Sequence, residues 1–161
     1  KDIHYDTITS IDKFSEEVFA SASDDGYVNI WDLRMGEFIK QLKVENNERI
    51  AAIKFVRTYN SGKHLLVAHN DKVSVLSAKD NFTKRATYKI GNSQKEFTQL
   101  PEQDGSQNSS NSPPGSVLDN SHFRINQMEF NEVDSSLYLG LQSRSSKGIS
   151  VNTISVWNLD L

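Results

Sequence analysis

The sequence of 161 residues predicts an all-β chain of short antiparallel strands. Three observations predict it. Apolar and β-branched residues alternate over runs of about six residues, the period of a strand rather than of a helix. The dipeptide Asp25-Gly26 stands between two such runs, and both residue types tolerate the positive φ of a tight hairpin turn. The whole set of runs then returns roughly 45 residues later, a spacing that marks repeated four-stranded units.

The elements follow in order. TITSIDKF places Ile8, Ile11 and Phe14 in a first strand-like run with imperfect alternation. VFASAS, from Val18 to Ser23, alternates on both faces, and YVNIW follows the Asp25-Gly26 turn with β-branched and aromatic residues. Glu37 to Leu42 forms a fourth run after a turn at Met35-Gly36. Four strands joined by tight turns make one antiparallel meander. A second copy comprises IAAIKFV (Ile50 to Val56), HLLVA (His64 to Ala68), a turn at Asn70-Asp71, VSVL (Val73 to Leu76) and Lys84 to Ile90. The third opens at Phe123 with FRINQMEF, continues with LYLGL and ends in TISVWNLDL, its second and third strands separated by a long connection, SRSSKGISVN. EFIKQL and RIAAIKF also fit a helical wheel, but they are too short to stand as helices in water, and the repeat register favours strands.

At SASDDGYVNIWDL the chain resembles the WD-repeat β-propeller family. The resemblance implies a structural hydrogen-bond tetrad: a His before the first strand, a Ser or Thr on the second, an Asp in the turn and a Trp on the third. His4, Ser21, Asp25 and Trp31 stand at those places. The second copy has Leu76-Ser77 where Trp-Asp is expected. The third has Trp157-Asn158 and no Asp-Gly turn. The expected architecture is therefore a partial WD-repeat propeller of about three four-stranded antiparallel blades. Residues 1–44 form blade one, 45–90 blade two, 91–120 a polar inserted loop and 121–161 blade three, without its last strand. Closed rings of the family have more blades, and three would leave two unpaired flanks. With Lys1 rather than Met at its start, the chain is expected to be a fragment or to complete a ring with another chain.

Composition excludes several functions. A net charge of −3 gives no general affinity for nucleic acid or anionic membranes. No cysteine is present, which rules out a disulfide scaffold and a thiol nucleophile and fits an intracellular, nuclear or cytoplasmic setting. No apolar run approaches the roughly 18 residues of a membrane span. The sequons at Asn81 and Asn108 are the kind that a Ser/Asn-rich sequence contains by chance. Reading Ser21, His4 and Asp25 as a hydrolase triad fails, because a second-strand Ser is buried and no oxyanion loop is visible. Among the four histidines, His64 and His69 lie five apart with no third ligand nearby, which fits core or surface residues rather than a metal site. No metal, cofactor or catalytic residue is expected. Lys84, Arg85 and Lys89 beside Phe82 and Tyr88 form a strip that RNA could touch, but a solvated strand fits the net negative chain better.

Two segments point outward. The loop Gly91 to Asn120 is rich in Ser, Asn, Gln, Pro and Gly, too poor in apolar residues to offset its own ordering. It carries a candidate proline-directed phosphosite at Ser112, and Phe97, Leu100 and Leu118 as candidate anchors. Trp31-Asp32-Leu33-Arg34 resembles the box by which many WD-repeat substrate receptors dock on the damaged-DNA-binding adaptor of cullin–RING ubiquitin ligases, with Asp32 and Arg34 as docking residues. The expected function is a non-enzymatic protein–protein interaction scaffold in a multiprotein complex. Its partners are other proteins and the remaining blades, from the parent or a partner chain. The alternative is the ligase substrate receptor.

Overall fold

A computed structural model describes residues 3–58, 62–90, 123–144 and 150–158. The expectations for the loop 91–120, including Ser112, Phe97, Leu100 and Leu118, lie outside the described residues, as does Asn108. Eleven strands are described, and they form three antiparallel sheets. Sheet one contains β1 (Ile8–Lys13), β2 (Val18–Ser23), β3 (Tyr27–Asp32) and β4 (Glu37–Lys43), paired in that order. Sheet two contains β5 (Ile50–Thr58), β6 (Gly62–His69), β7 (Lys72–Ser77) and β8 (Thr83–Lys89), paired likewise. Sheet three contains β9 (Arg124–Asn131), β10 (Ser136–Arg144) and β11 (Ser150–Asn158). The runs EFIKQL and RIAAIKF are strands, as the register argued.

The repeat extends to irregularities of register. β1 shifts between Ile8 and Ser10, and β5 shifts at the matching place between Ile50 and Ala52. β3 shifts between Ile30 and Trp31, and β7 between Val75 and Leu76. Trp31 therefore corresponds to Leu76. Trp157 holds the same place in sheet three, since it faces Leu137 as Trp31 faces Phe19 and Leu76 faces Leu65. Sheet three departs from expectation in strand length. SRSSKGISVN is not wholly a connection, because β10 runs on to Arg144 and β11 begins at Ser150, with Ser143 opposite Val151. The ladder continues there through small and polar residues that carry little strand signal of their own.

Two cores lie between the sheets. Ala20, Ala22, Val28 and Ile30 of sheet one meet Ile50, Ile53, Leu65 and Val67 of sheet two. Leu66, Ala68, Val73 and Val75, on the opposite face of sheet two, meet Ile125, Met128, Leu137 and Leu139 of sheet three. Burying an Ile or Leu in either core stabilises by about 1.5–3 kcal/mol. The first strands β1, β5 and β9 stand side by side, and side chains link their edges. Ser10 Oγ accepts from Ile53 N–H at 3.2 Å, and Asp12 Oδ2 accepts from Phe55 N–H at 2.6 Å. Lys54 of β5 pairs with Glu129 of β9 at 2.8 Å, and through the backbone Ile125 N–H of β9 donates to the carbonyl of Asn70 in the β6–β7 turn at 2.9 Å.

The Asp24-Asp25-Gly26 turn also touches the chain entering sheet two. Gly26 has φ +82°, and a Cβ there would lie 2.8 Å from Asn47 Cα. Glycine meets both the left-handed backbone and the close approach.

Candidate functional site

The structure brings the four residues of the expected tetrad together. His4 enters from the segment before β1, Ser21 from β2, Asp25 from the β2–β3 turn and Trp31 from β3. An ionised carboxylate only accepts, so the hydrogen at 3.1 Å between His4 Nδ1 and Asp25 Oδ2 belongs to the imidazole. In that tautomer His4 Nε2 accepts from Ser21 Oγ at 2.8 Å, and Ser21 Oγ accepts from Trp31 Nε1–H at 2.9 Å. Asp25 gains two backbone donors, Tyr5 N–H on Oδ2 and Tyr27 N–H on Oδ1, both at 2.9 Å. Burial pushes the Asp25 carboxyl up. The bonds from Tyr5, Tyr27 and His4 outweigh it and hold the group below its ordinary value. Asn29 extends the network, donating to the Ile3 carbonyl at 3.2 Å and accepting from Gln41 Nε2 at 3.0 Å.

This constellation is closed. Ser21 is 3 % exposed and its oxygen already accepts from an indole, so no substrate carbonyl can reach it. Asp24 is partly buried, and its Oδ1 accepts from Arg49 Nε at 2.5 Å. The turn is thereby anchored on both sides, by the carboxylate at 25 to the tetrad and by the carboxylate at 24 to the chain before β5.

Sheet two carries a second polar network that sequence reasoning missed. His69 is fully buried; its Nδ1–H donates to Glu48 Oε2 at 2.8 Å, and its Nε2 lies 2.9 Å from Ser74 Oγ. Ser74 in turn lies 3.3 Å from Thr87 Oγ1, and Lys72 Nζ reaches Glu48 Oε1 at 3.3 Å. Burial raises the Glu48 carboxyl, and His69 and Lys72 bring it below its usual range. The polarity is the reverse of sheet one. Here the carboxylate precedes the first strand and the imidazole ends the second, so no spacing derived from the first copy could find it. In sheet three Trp157 Nε1–H donates to Ser155 Oγ at 2.9 Å, two residues back on its own strand.

Asp32 and Arg34 sit at the β3–β4 turn. Arg34 Nε donates to Asp32 Oδ1 at 2.9 Å and Nη2 to Oδ2 at 2.5 Å, while Nη1 pairs with Glu17 at 3.2 Å. The hydrogen bond from Arg34 is the main cause that holds the Asp32 carboxyl at about 2. Both edges of the guanidinium fork are thus taken within the chain. The basic strip is similarly engaged: Lys84 pairs with Glu45, Arg85 with Asp80 and Lys89 with Asp71, and Phe82 packs into the core between sheets one and two. Among the described residues no group of three His, Cys, Asp or Glu is placed to hold a metal ion, and no helix is long and apolar enough to cross a membrane.

Two four-stranded and one three-stranded antiparallel sheets, packed face to face with their first strands adjacent, define a WD40-type β-propeller fold, of which this chain forms a part. Among solved structures it is similar to the C-terminal WD40 domain of Sif2, with a TM-score of 0.58 at 16 % identity over 95 % of this chain. The match covers 34 % of that structure, so the chain spans about a third of its length, and likeness at this identity is a likeness of fold. No protein-family model and no curated protein matches by sequence.

Proposed function

We propose that the chain is a non-enzymatic interaction scaffold within a multiprotein complex, in which His4, Ser21, Asp25 and Trp31 hold blade one together rather than carry out chemistry. The observation that carries the reading is what the turns present to solvent. The β1–β2 and β3–β4 turns lie at one end of sheet one, tied by Leu33 N–H to the Glu17 carbonyl at 2.8 Å. That end exposes Leu33 and Met35, and the matching β9–β10 turn exposes Val133. Polar groups are used inside the sheets, while apolar ones stand at turn tips, where a partner could bury them. The partners in this reading are other proteins and further blades. The lack of cysteine supports a nuclear or cytoplasmic setting.

Quantitative co-purification tests it. A Leu33→Asp/Met35→Asp variant should lose most partner recovery, while Lys43→Glu on β4, away from those turns, should retain it. Equal recovery from both variants would overturn the reading. The ligase-receptor alternative requires Arg34 to leave Asp32 and Glu17 for an adaptor. Arg34→Glu with unchanged adaptor binding would remove it.

A further inference from the structure

Sheet two lies between sheets one and three, so the ends of its hairpins belong to loops and not to a flank where another blade would pack. The β5–β6 hairpin carries an arrangement that its neighbours lack. Arg57 of β5 stands directly opposite Lys63 of β6, so both side chains leave the same face of the sheet. That is the face of Phe55 and Leu65, turned toward sheet one. Like charges directly opposite each other destabilise a ladder. The fold does not require them. Counted from the matching pairs Lys13–Phe19, Phe55–Leu65 and Phe130–Leu137, the places of Arg57 and Lys63 hold Ser15 and Glu17 in sheet one and Glu132 and Ser135 in sheet three.

The chain does not neutralise this pair. Lys63 Nζ donates to the Phe14 carbonyl at 2.8 Å and lies 3.9 Å from the centre of the Phe14 ring. Phe14 stands in the β1–β2 turn, and its ring meets that of Phe55 at 5.0 Å. Among the described residues neither Arg57 nor Lys63 has a carboxylate partner, whereas Lys54, Lys84 and Arg85 of the same sheet each have one. Burial, and then the charge of Arg57, hold the Lys63 ammonium below its ordinary value. An arriving anion would relieve that cost. Ala78 N–H donates to the Lys63 carbonyl at 3.1 Å, so the exposed Lys79 follows at the same end of the sheet.

We propose that the cleft between the β1–β2 and β5–β6 hairpins docks an acidic segment of a partner protein, its Asp or Glu carboxylates bridging Arg57 and Lys63. The Arg57 side chain is exposed, and its guanidinium can hold a carboxylate by two parallel hydrogen bonds. A short segment fits here better than a continuous polyanion. Glu16 and Glu17 in the β1–β2 turn, and Glu132 and Asp134 in the β9–β10 turn, would repel the run of phosphates on a nucleic acid or an anionic membrane. The inference rests on the scaffold reading and names the chemistry of one partner, at a different hairpin from the β3–β4 turn that carries Leu33 and Met35.

Random peptides displayed on phage and selected on the full chain test it. The recovered peptides should be rich in Asp and Glu. One of them, labelled with fluorescein, should bind the wild-type chain in fluorescence anisotropy and bind less tightly as salt rises. Arg57→Glu alters an exposed side chain, should retain β-sheet circular dichroism and should weaken binding at least tenfold. Arg57→Gln, which removes the charge without reversing it, should weaken binding in the same direction, and Lys43→Glu on β4 should leave it unchanged. Single-stranded RNA and phosphatidylserine vesicles should fail to displace the peptide. No recovered peptide, recovered peptides without an excess of acidic residues, equal binding by folded Arg57→Glu and wild-type chains, or displacement by RNA or vesicles would each overturn the proposal. If Arg57→Glu has no effect while Leu33→Asp/Met35→Asp loses its partners, this inference fails and the scaffold reading stands.

Discussion

Asp25 holds four groups at once: an imidazole, two backbone N–H donors and, through Ser23 Oγ on its own N–H, the turn itself. Asp25→Ala leaves His4, Tyr5 and Tyr27 short of a buried acceptor, and we expect a loss of about 1–3 kcal/mol in urea denaturation. Asp24→Ala loses a single pair to an exposed Arg49, which is worth at most about 1 kcal/mol. Equal losses would contradict the assignment of the turn. Acid should act in the same direction. Asp25, Asp32 and Glu48 all titrate below their ordinary values when folded, so at moderately acid pH the unfolded chain binds more protons. Their contribution is present above the unfolded value of 3.8 for Asp and 4.5 for Glu, and is lost as pH falls through the folded values, about 2 for Asp32. The urea midpoint should therefore fall between about pH 6 and pH 3; an unchanged midpoint would mean these carboxylates contribute nothing to folding.

At the scale of elements, the turns and inner strands carry the connections between sheets. Gly26→Ala forces a side chain into a left-handed backbone and against Asn47, with backbone on both sides of the clash. We expect about 2–3 kcal/mol of destabilisation, against about 1–2 kcal/mol at Gly36, where the left-handed φ strains a side chain but nothing lies within 4 Å. Asp12→Ala removes the acceptor from Phe55 N–H, and about 1–2 kcal/mol should be lost by the same measurement. Much of this was legible in the sequence. Alternation and the Asp25-Gly26 turn are local signals, so the strands of the first two sheets appear where the residues place them. The tetrad residues were named through the resemblance to WD-repeat chains that SASDDGYVNIWDL carries. What stayed hidden depends on contacts distant in sequence: the Glu48–His69 pair, whose polarity is reversed, and Asp24 with Arg49, two residues that share no pattern. The ends of β10 and β11 were hidden for another reason, since Ser143, Arg144, Ser150 and Asn152 pair through backbone that their side chains do not announce.

For the whole molecule, stability is a sum of sheets and the faces between them, in the manner of repeat proteins. Sheet two is covered on both faces, by sheet one through Ile53, Leu65 and Val67 and by sheet three through Leu66, Ala68, Val73 and Val75. Among the described residues, sheets one and three are each covered on one. Amide hydrogen exchange should therefore be slowest in β6 and β7 and faster in β3 and β10, by a factor of ten or more. Uniform protection across the three sheets would show that they unfold as one unit.

One arrangement described above bears on how this chain can change over generations. The outermost strand of sheet two, β8, ends at Lys89, and the next residue, Ile90, is buried in the same core cluster as Phe123, which leads into β9. Both ends of the connection between sheets two and three therefore sit in one core cluster. Lengthening a tether between fixed posts costs only about 0.6 kcal/mol per doubling. Changes of length between Ile90 and Phe123 are therefore expected to cost little in closure entropy and to leave the ladders of β8 and β9 paired as they are.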